Sequence, residues 1–213
     1  METIESAFFD LALRCGALRF GAFTLKSGRA SPYFFNAAAF ASGRSMVELG
    51  RLYARAVQAQ GLSYDMIFGP AYKGIPLALA LAMGLALEHD LDLPYSFNRK
   101  EAKDHGEGGL IIGPPLQGRV LVIDDVISAG TSVRESADLI AQSGATLAAV
   151  VIALDREERG TSAVSAVSEV ETRYRIPVVR LGRLSGLLTY LGQHEALRHH
   201  AEALADYRAE YGA

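Results

Sequence analysis

Apolar positions along this chain recur in two spacings. A period near 3.6 runs through Ile4–Leu18 and Val47–Val57, and predicts amphipathic helices there. Lys73–His89 is apolar on most sides and also reads as a helix, with Pro76 tolerable in its first turn. Val133–Gln142 is helical up to the stop at Gly144, and Ser185–Leu191 and Glu195–Tyr207 follow the same period. Between these lie short continuous apolar runs: Met66–Phe68, Leu93–Phe97, Val120–Ile123, Thr146–Leu154 and Pro177–Leu181. Such runs suit strands buried on both faces. Strands that alternate with helices predict an α/β fold in which a mostly parallel, twisted sheet carries helices on both faces. No repeat or low-complexity linker interrupts the chain, so we expect a single domain over residues 1–213.

In such sheets, ligands bind beyond the carboxyl ends of the strands. Three polar segments follow strand ends here: Gly69-Pro-Ala-Tyr-Lys-Gly74, Asn98–Gly109 and Asp124–Ser132. The last belongs to the run VLVIDDVISAGTS, Val120–Ser132. A strand ends on two adjacent carboxylates, and a helix begins near Thr131. The junction Ser128-Ala-Gly-Thr-Ser132 offers free backbone N–H groups, hydroxyl donors and side chains small enough for a phosphate to approach. It lacks the lysine of a P-loop, and GxxxxGK[ST] occurs nowhere in the chain. Two carboxylates would repel that phosphate, so they must face hydroxyls or a metal. A ribose diol beside a monophosphate satisfies the whole stretch. Helix capping alone would need one acid, not two.

Composition sharpens this reading. Half of the 213 residues are hydrophobic, enough for one sizeable core. The net charge of −3, with cations and acids interleaved, argues against a nucleic-acid partner. Any anionic ligand must be met by local cations. The single cysteine, Cys15, excludes a disulfide framework within the chain and sits on an apolar helix face, where core packing explains it. The start METIESAFFDLALR carries acids early and does not read as a signal peptide. The most apolar segment, Ile75–Leu87, is too short for a bilayer. The expectation is a soluble cytoplasmic protein with no membrane partner.

The motif of apolar strand, Asp-Asp and hydroxyl-Ala-Gly-Thr loop resembles the signature of type I phosphoribosyltransferases. Four further stretches are similar to the orotate phosphoribosyltransferases: Phe23–Arg29, Ser31–Asn36, Phe68–Ile75 and Asn98–Gly109. The likeness is strong as far as about Arg159, and the stretch after Gly160 adds little. It implies transfer of a phosphoribosyl group from phosphoribosyl pyrophosphate to orotate in pyrimidine synthesis, with Mg²⁺ held mainly through the pyrophosphate substrate and not by a dedicated protein cage. It also implies a small hood, built by about residues 1–40 and the C-terminal part, over the base site. By resemblance, Val126, Ile127, Ser128, Ala129, Gly130, Thr131 and Ser132 surround the 5-phosphate, while Asp124 and Asp125 take the ribose hydroxyls. Tyr72 and Lys73 face the pyrophosphate. Arg99, Lys100, Lys103 and His105 lie on a loop that covers it, reaching across a homodimer so that active sites are shared. Lys26, Phe34, Phe35, Ser128 and Arg156 line the orotate side, with Lys26 also near the pyrophosphate substrate. Lys103, Asp125, Lys73 and His105 are the residues expected to act in catalysis.

Most of these residues are uninformative singly. Phe34 and Phe35 alone would read as core, Arg156 as a surface ion pair, and Asn98–Gly109 as a solvated hairpin loop. His105 suits a proton donor to the leaving group or a hydrated loop residue equally well. Placed together, the pattern favours an anionic base: Arg156 and Lys26 suit a carboxylate, which a purine lacks. A non-catalytic sensor of the same substrate would be expected to lose the pyrophosphate-facing cations, and this chain keeps them. Ser128 stands where the family commonly has Thr, keeping the hydroxyl and losing a methyl.

Overall fold

The computed structural model describes residues 3–25, 28–103, 109–159 and 164–213. Helix α1 (Ile4–Arg14) is followed by an antiparallel hairpin, β1 (Leu18–Thr24) with β2 (Ala30–Phe35). Helix α2 (Gly43–Ala59) leads to β3 (Met66–Gly69), α3 (Gly74–His89), β4 (Tyr95–Lys103) and β5 (Gly109–Ile112). Then come β6 (Arg119–Asp124), α4 (Thr131–Gln142), β7 (Thr146–Asp155), α5 (Ala166–Tyr174), β8 (Val178–Arg183), α6 (Leu184–Gln193) and α7 (Ala201–Tyr211).

The main sheet is six-stranded in the order β5-β4-β3-β6-β7-β8. All its pairings are parallel except β4 with β5. The central strands explain why: Met66–Gly69 is wholly buried, and so are Val120–Asp124 of β6 and Ala149–Asp155 of β7. The core divides between the two faces. One cluster joins Ile67, Leu121, Ile123, Val151 and Leu154 to α1, α2, α3 and α6. The other joins Phe68, Val120, Val122, Val150 and Ile152 to α4 and α5. The expected α/β architecture is therefore present.

Several boundaries differ from the sequence expectation. The first helix stops at Arg14, because Gly16 takes a positive φ of 68°; Leu18 already belongs to a strand. Cys15, in the turn, is partly buried against the core. Polar Asn98–Lys103 is not loop but the second half of β4, paired back on β5. The C-terminal helical stretch is a 3-10 segment, Glu195–His200, followed by α7. The hairpin β1–β2 and helix α5 had no counterpart in the periodicity.

Helix α3 is apolar all round, yet one face stays open. Leu77, Ala78, Leu81 and Leu85 are buried, while Leu79, Met83 and Leu87 lie exposed at intervals of four residues. Such a row of apolar side chains on one helix face is a candidate interaction face.

Candidate functional site

Strand β6 ends on Asp124, and both Asp124 and Asp125 are buried, 8% and 5% exposed. Their oxygens are held by the backbone that follows: Asp124 Oδ1 accepts from the Asp125 N–H at 2.8 Å, and Asp125 Oδ1 from the Val126 N–H at 3.0 Å. The Asp125 carbonyl accepts the N–H groups of Ala153 and Leu154, which ties the acid pair to β7. Burial, then the neighbouring Asp125 charge, push the Asp124 carboxyl up to about 6, and a hydrogen bond from Ser132 pulls the other way. The Tyr53 hydroxyl of α2 is fully buried and has no hydrogen-bond partner among the described residues; burial, then Asp125 and Asp124, hold its pKa well above the usual value.

The loop after the pair leaves Ser128, Ala129 and Thr131 exposed, buries Gly130 and turns its apolar residues inward. Ile127 packs into the second core cluster and Val126 against the first, while Ala129 lies exposed. Gly130 caps α4 in the left-handed region, φ 66°, and among the described residues no side-chain cap bond is made there. The positive end of α4 is thus open toward the loop. Arg134, which no local motif singles out, fixes the loop: its guanidinium donates to the Ala129 carbonyl and the Thr131 hydroxyl, each at 2.8 Å.

A second loop converges from β3. Its turn is tight, since a Cβ on Gly69 would overlap the Gly74 carbonyl. Asn98 Oδ1 of β4 accepts the Ala71 N–H at 2.8 Å, pinning the turn from the neighbouring strand. Tyr72 is 67% exposed, with Lys100 Nζ 5.0 Å from its ring centre. Lys73 reaches Asp125 Oδ2 at 2.6 Å. The structure thus brings Lys73, Asp124 and Asp125 into one constellation, with Lys100 beside Tyr72. Arg99 is half-buried on β4. Lys103 ends β4, while His105 and Lys26 lie outside the described residues.

Arg156 follows β7 and is mostly buried. Its Nε donates to Glu158 Oε1 at 2.6 Å, and Nη2 donates to Ser31 Oγ at 3.3 Å and Tyr207 Oη at 3.1 Å. Its guanidinium also lies over the Tyr33 ring at 4.2 Å. It has an ion pair, as the simpler reading required, but a part-buried one that also holds the hairpin. Phe34 and Phe35 separate. Alternation along β2 turns the Phe35 ring into the core against Phe8 and Phe40, so it offers no flat surface to a ligand. The Phe34 ring faces the other way, stacked on Phe23 with 5.5 Å between centres.

Among the described residues no group of three or more metal-ligating side chains stands together. The acid pair suits a divalent cation carried in by phosphates, which takes at most one or two protein carboxylates.

Gly130→Val is expected to weaken binding of the phosphate-bearing substrate about tenfold while the protein stays folded. A Cβ there would make only ordinary contacts, with Arg134 Nη1 at 3.5 Å and Val170 Cγ2 at 3.7 Å, so the first side-chain atom is tolerated. The positive φ is not: a β-branched residue there costs about 1–2 kcal/mol and shifts the loop. Titration calorimetry on the folded variant checks this, and unchanged affinity would move the phosphate elsewhere.

A parallel sheet with an acid pair and an open helix end at its carboxyl edge fits a phosphoribosyltransferase. In agreement, the model of the phosphoribosyl transferase domain family matches residues 40–173. Orotate phosphoribosyltransferase of Escherichia coli (strain SE11) is 54% identical, and that of Thioalkalivibrio sulfidiphilus 53%, each over 212 residues and the whole of both chains. The crystal structure of orotate phosphoribosyltransferase from Francisella tularensis superposes with a TM-score of 0.86 at 38% identity, covering 97% of this chain and 99% of the other. The chain belongs to the orotate phosphoribosyltransferase family. The similarity runs past Arg159 to the C-terminus, farther than the motifs alone suggested.

Proposed function

We propose that the chain transfers the 5-phosphoribosyl group of phosphoribosyl pyrophosphate to orotate, giving orotidine 5′-monophosphate and pyrophosphate in pyrimidine synthesis. The observation that carries it is the joining of Asp125 to Lys73, one short loop before an open helix end. One loop supplies hydroxyl acceptors and an anion cradle, and the next supplies a cation for a leaving group.

In this reading the N–H groups and hydroxyls of Ser128–Ser132 bind the 5-phosphate, and Asp124 and Asp125 orient the ribose. Displacement at the anomeric carbon passes through an oxocarbenium-like state while charge grows on pyrophosphate. Lys73, with Arg99, Lys100, Lys103 and His105, stabilises that charge, which is the most effective help a protein can give such a step. Mg²⁺ supplies further neutralisation of the pyrophosphate when bound, with Asp124 and Asp125 the side chains that would meet it. Arg156 and Lys26 receive the orotate carboxylate. With Nε and Nη2 of Arg156 already committed, its Nη1 is the group left for that carboxylate among the described residues. Phe34 offers apolar surface on the base side, and Phe35 contributes its backbone alone. The hairpin β1–β2, bound to the loop after β7 through Ser31 and Arg29, forms the hood with α7.

We propose a cytoplasmic homodimer closed through the exposed α3 stripe. No helix of the described residues is long and apolar enough to cross a membrane.

The test is loss of orotate absorbance on mixing with phosphoribosyl pyrophosphate and Mg²⁺. Turnover of orotate should exceed that of uracil by on the order of ten- to a hundredfold, the worth of a charged hydrogen bond in a closed site. It should vanish on chelation. Equal use of uracil would overturn the substrate, and full activity after chelation would overturn the metal.

A further inference from the structure

The last residues of the chain grip the segment that carries Arg156. Tyr207 of α7 donates its hydroxyl to Glu158 Oε1 at 2.6 Å and accepts from Arg156 Nη2 at 3.1 Å. Glu158 Oε1 also accepts from Arg156 Nε, which closes a triangle of three side chains. The Tyr207 ring meets Tyr33 edge-on, 5.9 Å between centres, and Tyr33 lies under the Arg156 guanidinium. Backbone bonds continue the grip: the Arg159 N–H donates to the Tyr211 carbonyl and the Ala213 N–H to the Glu157 carbonyl, each at 2.9 Å. Glu158 pairs with Gly212 in an antiparallel bridge between them.

Packing does not require this hydroxyl. A phenylalanine would fill the same space against Tyr33 and Tyr211. What the hydroxyl adds is two polar bonds, both to the pair that sets the Arg156 rotamer. Three of the five guanidinium hydrogens, the one on Nε and two on Nη2, are thereby assigned to Glu158, Ser31 and Tyr207. Nη1 keeps its two hydrogens without a partner among the described residues.

We infer that Tyr207 is a positioning residue for base recognition: the C-terminal segment fixes Arg156 with Nη1 free, so that the substrate carboxylate meets an arginine already ordered. This rests on the reading that Arg156 receives the carboxylate of orotate. An arginine with long rotatable arms loses freedom on binding unless the protein has removed that freedom beforehand.

Tyr207→Phe tests it, with Arg156→Ala measured alongside. The Michaelis constant for orotate should rise about three- to tenfold, the factor for one side chain no longer pre-ordered. That for phosphoribosyl pyrophosphate should hardly move, and the thermal midpoint should fall by no more than a few degrees, the cost of the two polar bonds removed. Deletion of Gly212 and Ala213, which spares Tyr207, should give a smaller rise of the same selectivity. An unchanged orotate constant in Tyr207→Phe, or equal rises for both substrates with a lowered midpoint, would reduce Tyr207 to a structural role and overturn the inference. If Arg156→Ala itself leaves the orotate constant unchanged, the role of Arg156 falls first, and that of Tyr207 with it.

Discussion

Asp125→Asn is expected to lower kcat/KM for phosphoribosyl pyrophosphate by on the order of a hundredfold or more, with the fold retained. The carboxylate does two jobs in the free protein. It holds Lys73 at 2.6 Å and, through Oδ1, orders the first residue of the phosphate loop. An amide keeps the shape but removes the charge, and its NH₂ end would present a donor where the sugar hydroxyl or the Lys73 ammonium also brings hydrogens. Stability should change little by comparison. Lys73 has 55% of its side chain in solvent and can be hydrated when released, so the pair itself adds little to the fold. The loss of charge beside Asp124 also relieves a repulsion that helps hold that carboxyl up near 6. Steady-state kinetics with a thermal melt separates the two effects. Activity within a few-fold of the unmodified enzyme would show that Asp125 neither orients the sugar nor sets Lys73.

The reason so much of this site could be read from the chain is that its central parts are local. Val120–Ser132 holds strand, acid pair, turn and helix start in one continuous stretch, and each residue type there has a separate physical reason. The wholly apolar strands β3, β6 and β7 announce burial on both faces, and burial on both faces requires the helices that follow. What escaped was what depends on partners far away in sequence. Strand β1 is half exposed with no clean alternation, because it forms one side of a two-stranded hairpin and not part of the main sheet. Asn98–Lys103 is polar because β4 pairs there only with β5, at the sheet's edge, where side chains need not be apolar. Phe34 and Phe35 look equivalent until the strand's alternation sends one ring to the core. The ties of Arg156 to Ser31 and Tyr207 join positions 125 and 51 residues apart, and no local spacing carries such information.

Mixing two inactive variants is expected to restore activity. Lys103→Ala removes a cation from the β4–β5 hairpin, and Asp125→Asn disables the sugar site; each alone should be nearly dead. The sheet order places the hairpin at the outer edge, beside β3, and α3 packs on both β3 and β4. Helix α3, which exposes Leu79, Met83 and Leu87, is thus a direct neighbour of the strand that carries the hairpin. If two chains join through that stripe, the hairpin of one is carried toward the acid pair of its partner. A hybrid dimer then has one site with both defects and another with an intact hairpin over an intact acid pair. Random exchange makes about half of the dimers hybrid, so roughly a quarter of all sites become whole under two-fold symmetry. Activity should return to about that fraction, and Met83→Glu, which places a charge in the stripe, should abolish the recovery by preventing pairing. If native mass spectrometry finds hybrids and the mixture remains inactive, each hairpin serves its own subunit and the sites are not shared.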